Sequence, residues 1–163
     1  SFPTRRSSDL GTVPPELQAV LMALHLPESA LERMHIGSVI FANKPGDGSA
    51  REQAASCQRV LGGCANICYE FATKRYRSNC VNWGMLPFTL ADGAPVNAVP
   101  GDFIFVPAVR EKVARGDEEF PAVLVHAGKT QPLTLYLKNT GAEERELLLT
   151  GCLMNHYAAQ NRR

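Results

Sequence analysis

Between residues 38 and 53 three different kinds of sequence follow one another without a break. Ser38-Val39-Ile40-Phe41-Ala42 is short, apolar and β-branched, with Gly37 before it and Pro45-Gly46 after it. That pattern is expected of a strand buried on both faces. A loop punctuated by Gly46 and Gly48 comes next, and then a helix starting near Ser49. A strand feeding a helix through a glycine loop is the start of a parallel crossover, which confines the chain to an α/β architecture.

The flanks extend that pattern. Pro14-Pro15-Glu16, followed by Leu17, Val20, Leu21 and Leu24, predicts an amphipathic helix begun by proline and stopped at Pro27. A second short helical piece is expected over 28–34. After Gly62-Gly63 the run 65–70 predicts another buried strand. Residues 71–83 read as a helix whose stripe is Ala72, Tyr76, Cys80 and Trp83, with Gly84 as its C′ residue and Pro87 beyond. Strands are expected over 102–106, 122–127, 133–138 and 145–150. Asn139-Thr140-Gly141 is taken as the turn of an antiparallel hairpin between the last two. The charged stretch 110–120 is expected to be an exposed excursion. Strand–helix–strand–helix followed by several strands predicts a compact α/β domain with parallel and antiparallel parts.

Composition excludes more than it assigns. The chain has 163 residues with 17 Lys+Arg against 16 Asp+Glu, a formal charge of +1 that leaves no footprint for nucleic acid or an anionic membrane. No apolar run approaches the ~18 residues of a membrane span. Five cysteines, an odd number without a secretory signal, argue for reduced thiols in the cytoplasm rather than a disulfide framework. Cys57, Cys64 and Cys68 match no compact metal-ligand spacing, and no metal site is placed on this chain. Residues 1–10, lacking any periodicity, read as an adapter-like or disordered leader. An adapter-derived leader would make the chain a gene fragment beginning mid-gene, with the domain proper at 11–163.

The chemistry concentrates at 46–53. Gly46 and Gly48 let the backbone bend and let a ligand approach. A helix N-terminus presents unpaired N–H groups that favour anions. Arg51 adds a planar cation suited to a carboxylate. Ser49 supports two compatible readings. Ser49-Ala50-Arg51-Glu52 is an S-x-x-E capping box, with Ser49 as N-cap and Glu52 as its reciprocal partner. Alternatively Ser49 is a base whose alkoxide would be stabilised by the helix N-terminus and Arg51. Asp47 could bind Arg51 or cap the turn. Among the remaining candidates, Lys74, Arg75 and Arg77 are expected on a solvated helix face. Trp83 is expected to anchor its helix to the sheet, and His126 to be a hydrogen-bonded core histidine.

Gly48-Ser49-Ala50-Arg51-Glu52-Gln53-Ala54-Ala55, then Arg59-Val60-Leu61-Gly62-Gly63, resembles the C-terminal swivel domain of the aconitase family. Glu70-Phe71-Ala72, Ser78-Asn79 and Gly84-Met85-Leu86-Pro87 keep register with that pattern. The resemblance implies an aconitase-type swivelling domain, layered β/β/α, with mixed parallel and antiparallel strands. It implies a lyase, a hydratase that dehydrates and rehydrates a small di- or tricarboxylic hydroxy acid. Carried over by position, Ser49 is the catalytic base, Arg51 the carboxylate anchor, and Gly48 and Ala50 substrate contacts. Ala50 stands where the family has a second serine, and Gln53 where it has histidine. The resemblance also implies a [4Fe–4S] cluster bound by other domains or a large partner subunit, so that the isolated chain is expected to be inactive. The alternative is a non-catalytic anion-binding or interaction module that keeps the swivel fold.

Overall fold

The computed structural model describes residues 13–160, with side-chain surroundings to Tyr157. The leader expected at 1–10 lies outside the described residues. Six strands form one sheet in the order β1-β2-β3-β6-β5-β4. They are β1 (Ser38–Ala42), β2 (Gly63–Cys68), β3 (Leu86–Thr89), β4 (Phe103–Phe105), β5 (Glu119–His126) and β6 (Lys129–Tyr136). The helices are α1 (Pro15–Ala23), α2 (Arg51–Val60), α3 (Lys74–Asn82), α4 (Val109–Arg115), α5 (Ala142–Thr150) and α6 (Leu153–Gln160), with a 3-10 turn over Glu28–Arg33.

The sheet has two kinds of pairing. β1, β2 and β3 run parallel, joined through α2 and α3 as parallel neighbours require. β4, β5 and β6 pair antiparallel, and β3 meets β6 antiparallel where Thr89 faces Tyr136. The mixed α/β architecture read from the sequence is the one observed.

Local chemistry accounts for several boundaries. Thr73 caps α3 by accepting the Tyr76 N–H at 3.2 Å. The same helix ends in a Schellman motif: the N–H of Gly84 donates to Val81 and that of Met85 to Cys80. Gly84 has φ +68, and a Cβ there would lie 1.8 Å from the carbonyl oxygen of Gly151, so only glycine fits.

Four expectations are corrected. The run 145–150 is not a strand but the body of α5, because Ala142-Glu143-Glu144-Arg145-Glu146-Leu147-Leu148 is rich in helix formers and buries Leu147 and Leu148 on one side. The hairpin lies instead between β5 and β6, where Ala127 and Gly128 both take positive φ, the geometry of a type I′ turn. β1 is not buried on both faces: it is the sheet edge, leaving Val39, Ile40 and Phe41 37%, 44% and 37% exposed. The charged stretch 110–120 is no loose excursion, since α4 buries Val113 and β5 buries Phe120.

The main core gathers Ile67, Val81, Phe88, Phe120, Leu135 and Leu137 with Leu147 and Leu148 of α5. Burying such side chains is worth about 1.5–3 kcal/mol each relative to exposure. A smaller cluster of Ala55, Tyr76, Cys80 and Met85 lies between α2 and α3, with Phe71 and Trp83 against it.

Candidate active site

The loop leaving β1 is pinned from the β2–α3 connection. The Tyr69 and Glu70 N–H groups donate to the Asn43 carbonyl, and the Ala72 N–H donates to that of Pro45. Lys44 pairs with Glu70 at 2.7 Å on the exposed side. Gly46 is the pivot. Its φ is +95, and a Cβ would stand 2.5 Å from the Tyr76 ring, so the backbone rests directly on that ring. Its carbonyl accepts from Thr73 Oγ1 at 3.0 Å and from Arg51 Nε at 3.2 Å.

Gly46, Asp47, Gly48, Ser49, Ala50 and Arg51, with Ala54 and Tyr76 below them, line an open cavity of about 430 Å³. The structure thus brings Gly48, Ser49, Ala50 and Arg51 to one place. Ser49 is exposed and Arg51 half-buried. The Arg51 hydrogen bond uses Nε, so the edge of the guanidinium tied to the loop is not the edge bearing its two terminal nitrogens. Asp47 lines the same cavity and makes no ion pair with Arg51 among the described residues. The cavity lies within the size range of small-molecule sites and presents a hydroxyl, a guanidinium and open backbone around Gly48.

The capping box is not formed. The N-cap of α2 is Ala50, not Ser49, and the helix starts at Arg51. Glu52 instead accepts from Trp83 Nε1 at 2.6 Å. Asn79 faces it in the amide orientation that satisfies both of its polar atoms: Oδ1 accepts the Glu52 N–H at 3.0 Å and Nδ2 donates to Glu52 Oε2 at 3.0 Å. Trp83 therefore ties the end of α3 to α2 and packs against the cluster between those helices. The expectation had placed that anchor on the sheet.

Behind the cavity lies a buried polar network. Gln58 and Asn66 exchange two side-chain hydrogen bonds of 3.2 and 3.0 Å, and the single Tyr76 O–H is shared between Gln58 Oε1 and Asn66 Oδ1 at 3.5 and 3.4 Å. Asn66 Nδ2 also donates to Cys80 Sγ at 3.4 Å. Burial pushes the Cys68 and Cys80 thiols up to about 12, and the Tyr76 hydroxyl likewise to about 12. Such thiols stay protonated and unreactive as nucleophiles at neutral pH. Among the described residues no three His, Cys, Asp or Glu side chains gather into a metal site.

Other candidates fall elsewhere. Arg77 is not solvated: it pairs with Glu144 at 2.8 Å and donates to Thr140 Oγ1 and to the Lys138 and Asn139 carbonyls, tying α3 to α5. Only Lys74 and Arg75 of that basic trio are exposed. His126 is hydrogen-bonded to Asp102 at 2.7 Å as expected, but it is exposed rather than in the core. The sequence reading missed Asn79, Thr73 and Tyr76 as builders of the cavity. Asn79 carried a signal, being a polar residue on the packed side of α3 and half of the Ser78-Asn79 pair.

Known proteins of the same kind bear on this geometry. Residues 29–93 match the family described as the aconitase C-terminal domain. An aconitate hydratase homologue of Emericella nidulans, named as mitochondrial, is 27% identical over 119 residues, 72% of this chain and 15% of that protein. The mitochondrial aconitate hydratase of Arthroderma benhamiae is 46% identical over 55 residues, 34% of this chain and 7% of that protein. The chain thus matches only a small part of the length of these curated relatives. The crystal structure of 3-isopropylmalate dehydratase from Methanocaldococcus jannaschii shares the fold at 24% identity, covering 93% of this chain and 81% of that one, with a TM-score of 0.50. No helix among the described residues is long and apolar enough to cross a membrane. Residues 29–93 are thus similar to the aconitase C-terminal domain, and the matched segment, the relatives and the shared fold together support an aconitase-type swivel domain.

Proposed function

We propose that this domain is part of an iron–sulfur hydro-lyase that dehydrates and rehydrates a small di- or tricarboxylic hydroxy acid. The observation that carries this reading is the convergence of Ser49 and Arg51 on one open cavity of about 430 Å³. Arg51 anchors a substrate carboxylate through its terminal nitrogens, while the Nε bond to Gly46 fixes the guanidinium plane. Ser49 Oγ takes the proton from the carbon beside a carboxylate and returns it in the reverse direction. A neutral serine is too weak a base for this, and the N-terminus of α2 together with Arg51 supports negative charge on the oxygen. Gly48 lets the substrate approach the backbone, because nothing lies within 4 Å of where its Cβ would be. Ala50 puts a methyl group on the rim where the family pattern has a second hydroxyl, which narrows the polar substrates the pocket can hold.

Where bound, the [4Fe–4S] cluster that the family resemblance implies would supply Lewis-acid activation of the leaving hydroxyl. In this reading the cluster is held by other domains or by a large partner subunit, as the resemblance to the family implies. The five free thiols suit a reducing compartment, the cytoplasm in this reading, whereas the curated relatives are named as mitochondrial.

The test is turnover of hydroxy acids by the full-length gene product or by this chain with its cluster-bearing partner. Ser49→Ala should lower kcat by about 10²–10⁴-fold. Arg51→Ala should raise KM by about 10–100-fold, the size of a lost charge-assisted hydrogen bond. Undiminished turnover in Ser49→Ala would overturn the reading. The second reading, a non-catalytic anion-binding module, is favoured by Ala50. It would be supported if the chain binds malate while the assembled protein turns over no hydroxy acid.

A further inference from the structure

A helix that begins Ser49-Ala50-Arg51-Glu52 has a default way to satisfy its first turn. Ser49 Oγ would accept the Glu52 N–H, the Glu52 carboxylate would fold back to the Ser49 N–H, and the helix would begin at Ala50. Both halves of that arrangement are taken over by α3. The Glu52 N–H goes to Asn79 Oδ1, and the Glu52 carboxylate goes to Asn79 Nδ2 and Trp83 Nε1. Asn79 also donates to the Arg75 carbonyl at 3.3 Å, so its amide is held on both sides. It is 8% exposed and forms part of the packed face of α3, not a mobile surface contact.

We propose that Asn79, with Trp83, intercepts the capping box of α2, and so keeps the Ser49 hydroxyl uncommitted at the cavity while fixing Arg51 at the first helical position. Asn79, Glu52 and Trp83 are positioning residues: none of them lines the cavity, and each acts on Ser49 and Arg51 through the first turn of α2. The inference rests on the reading of Ser49 as a site residue, but its core is a statement about which acceptor holds the Glu52 N–H. That statement is testable without turnover.

The experiment is a thermal-stability cycle on the 163-residue chain. In the unaltered background Ser49→Ala should move Tm by less than about 1 °C, because that hydroxyl caps nothing. In the Asn79→Ala background Ser49 falls back into its default role. Removing it there should lower Tm by about 2–4 °C, the loss of an N-cap in a chain of this size. Asn79→Leu, which removes the acceptor of the Glu52 N–H while nearly keeping the side-chain volume, should give the same sign, and it serves if Asn79→Ala does not fold. Additive effects in both backgrounds would overturn the proposal. The companion readout is the shift of the Gly48 and Ser49 amide resonances on adding malate. Asn79→Ala should weaken that response several-fold, and a response unchanged in Asn79→Ala would overturn the positioning role. Non-additivity in a chain whose amides ignore malate would uphold the interception by α3 and overturn the substrate-facing role of Ser49.

Discussion

The two ends of the sheet are held by different forces. At the antiparallel end, β5 and β6 pair over eight residues each and feed Phe120, Leu124, Leu133 and Leu135 into apolar packing. At the parallel end, α2 and α3 are joined through Gln58, Asn66, Tyr76, Asn79 and Glu52, groups whose value depends on hydrogen-bond partners at fixed positions. β1 beside them is an exposed edge. Apolar packing is tolerant of direction, whereas a buried polar network admits few arrangements. The cavity sits at the end where geometry is specified most narrowly. The difference teaches that this fold separates what makes it stable from what makes it shaped.

That contrast has consequences of graded size. The largest is for Phe120→Ala. Its ring is fully buried and meets Phe88 edge-on at 5.2 Å between centroids. The loss should be about 3–5 kcal/mol, lowering the melting midpoint by about 10 °C. If the contrast holds, cavity amides in the surviving folded fraction keep their wild-type chemical shifts.

Gly46→Ala should be the reverse case. The left-handed φ alone costs about 1–3 kcal/mol, and the methyl group must displace the Tyr76 ring. Malate-induced shifts at Gly48 and Ser49 should vanish while protection in β5 and β6 persists. Loss of protection throughout would show that the two ends act as one unit.

Asn66→Ala leaves Gln58 and Tyr76 short of partners and should cost about 1–3 kcal/mol. Hydrogen exchange should speed up in α2 and α3 before β5.

The smallest effect is a divergence with pH. Burial raises Cys68 and Cys80 from 9.0 and Tyr76 from 10.0 to about 12, all near the parallel end. Their neutral forms are favoured in the fold, so their contribution is complete below pH ~9 and is lost as pH rises towards 12. At the other end Asp102 is held below its usual 3.8 by the Val99 N–H and then by His126. Asp117 is held below 3.8 by its hydrogen bond from Arg115 and by Lys112. These carboxylates contribute above pH ~3.8, and the contribution is lost as pH falls through their lowered values. Base should therefore loosen α2 and α3 first and acid the segments around β4 and β5, read by residue-resolved hydrogen exchange. The same order of loosening in both arms would erase the distinction.

Much of this was legible in sequence where the signal is local. The glycine loop, the Schellman end of α3, the buried β2 and the helix after Pro14-Pro15 all follow from residue types acting within a few positions. Misreadings arose where a local pattern had two solutions. Leu147-Leu148-Leu149 fits a strand or one face of a helix, and the helix wins through its glutamate-rich first turn and its place against the core. Val39, Ile40 and Phe41 look like a central strand, yet edge or centre is decided by whether a neighbour pairs on the far side. At the site, Ser49 and Arg51 could be nominated from their spacing. Thr73 and Tyr76 could not, because they reach Gly46 from 27 or more residues away, and Asn79 reaches Glu52 of α2 from the distant α3.

The amino-acid order alone determined that a strand, a flexible loop and a positively ended helix would meet at residues 38–53, since each rests on steric and hydrogen-bond preferences of adjacent residues. It also offered Ser49 as a cap. Only the tertiary structure decided against that cap, by bringing α3 close enough for Asn79 and Trp83 to take both groups of Glu52. A backbone N–H such as that of Glu52 has one proton to give, and which acceptor receives it depends on what the rest of the chain places within about 3 Å.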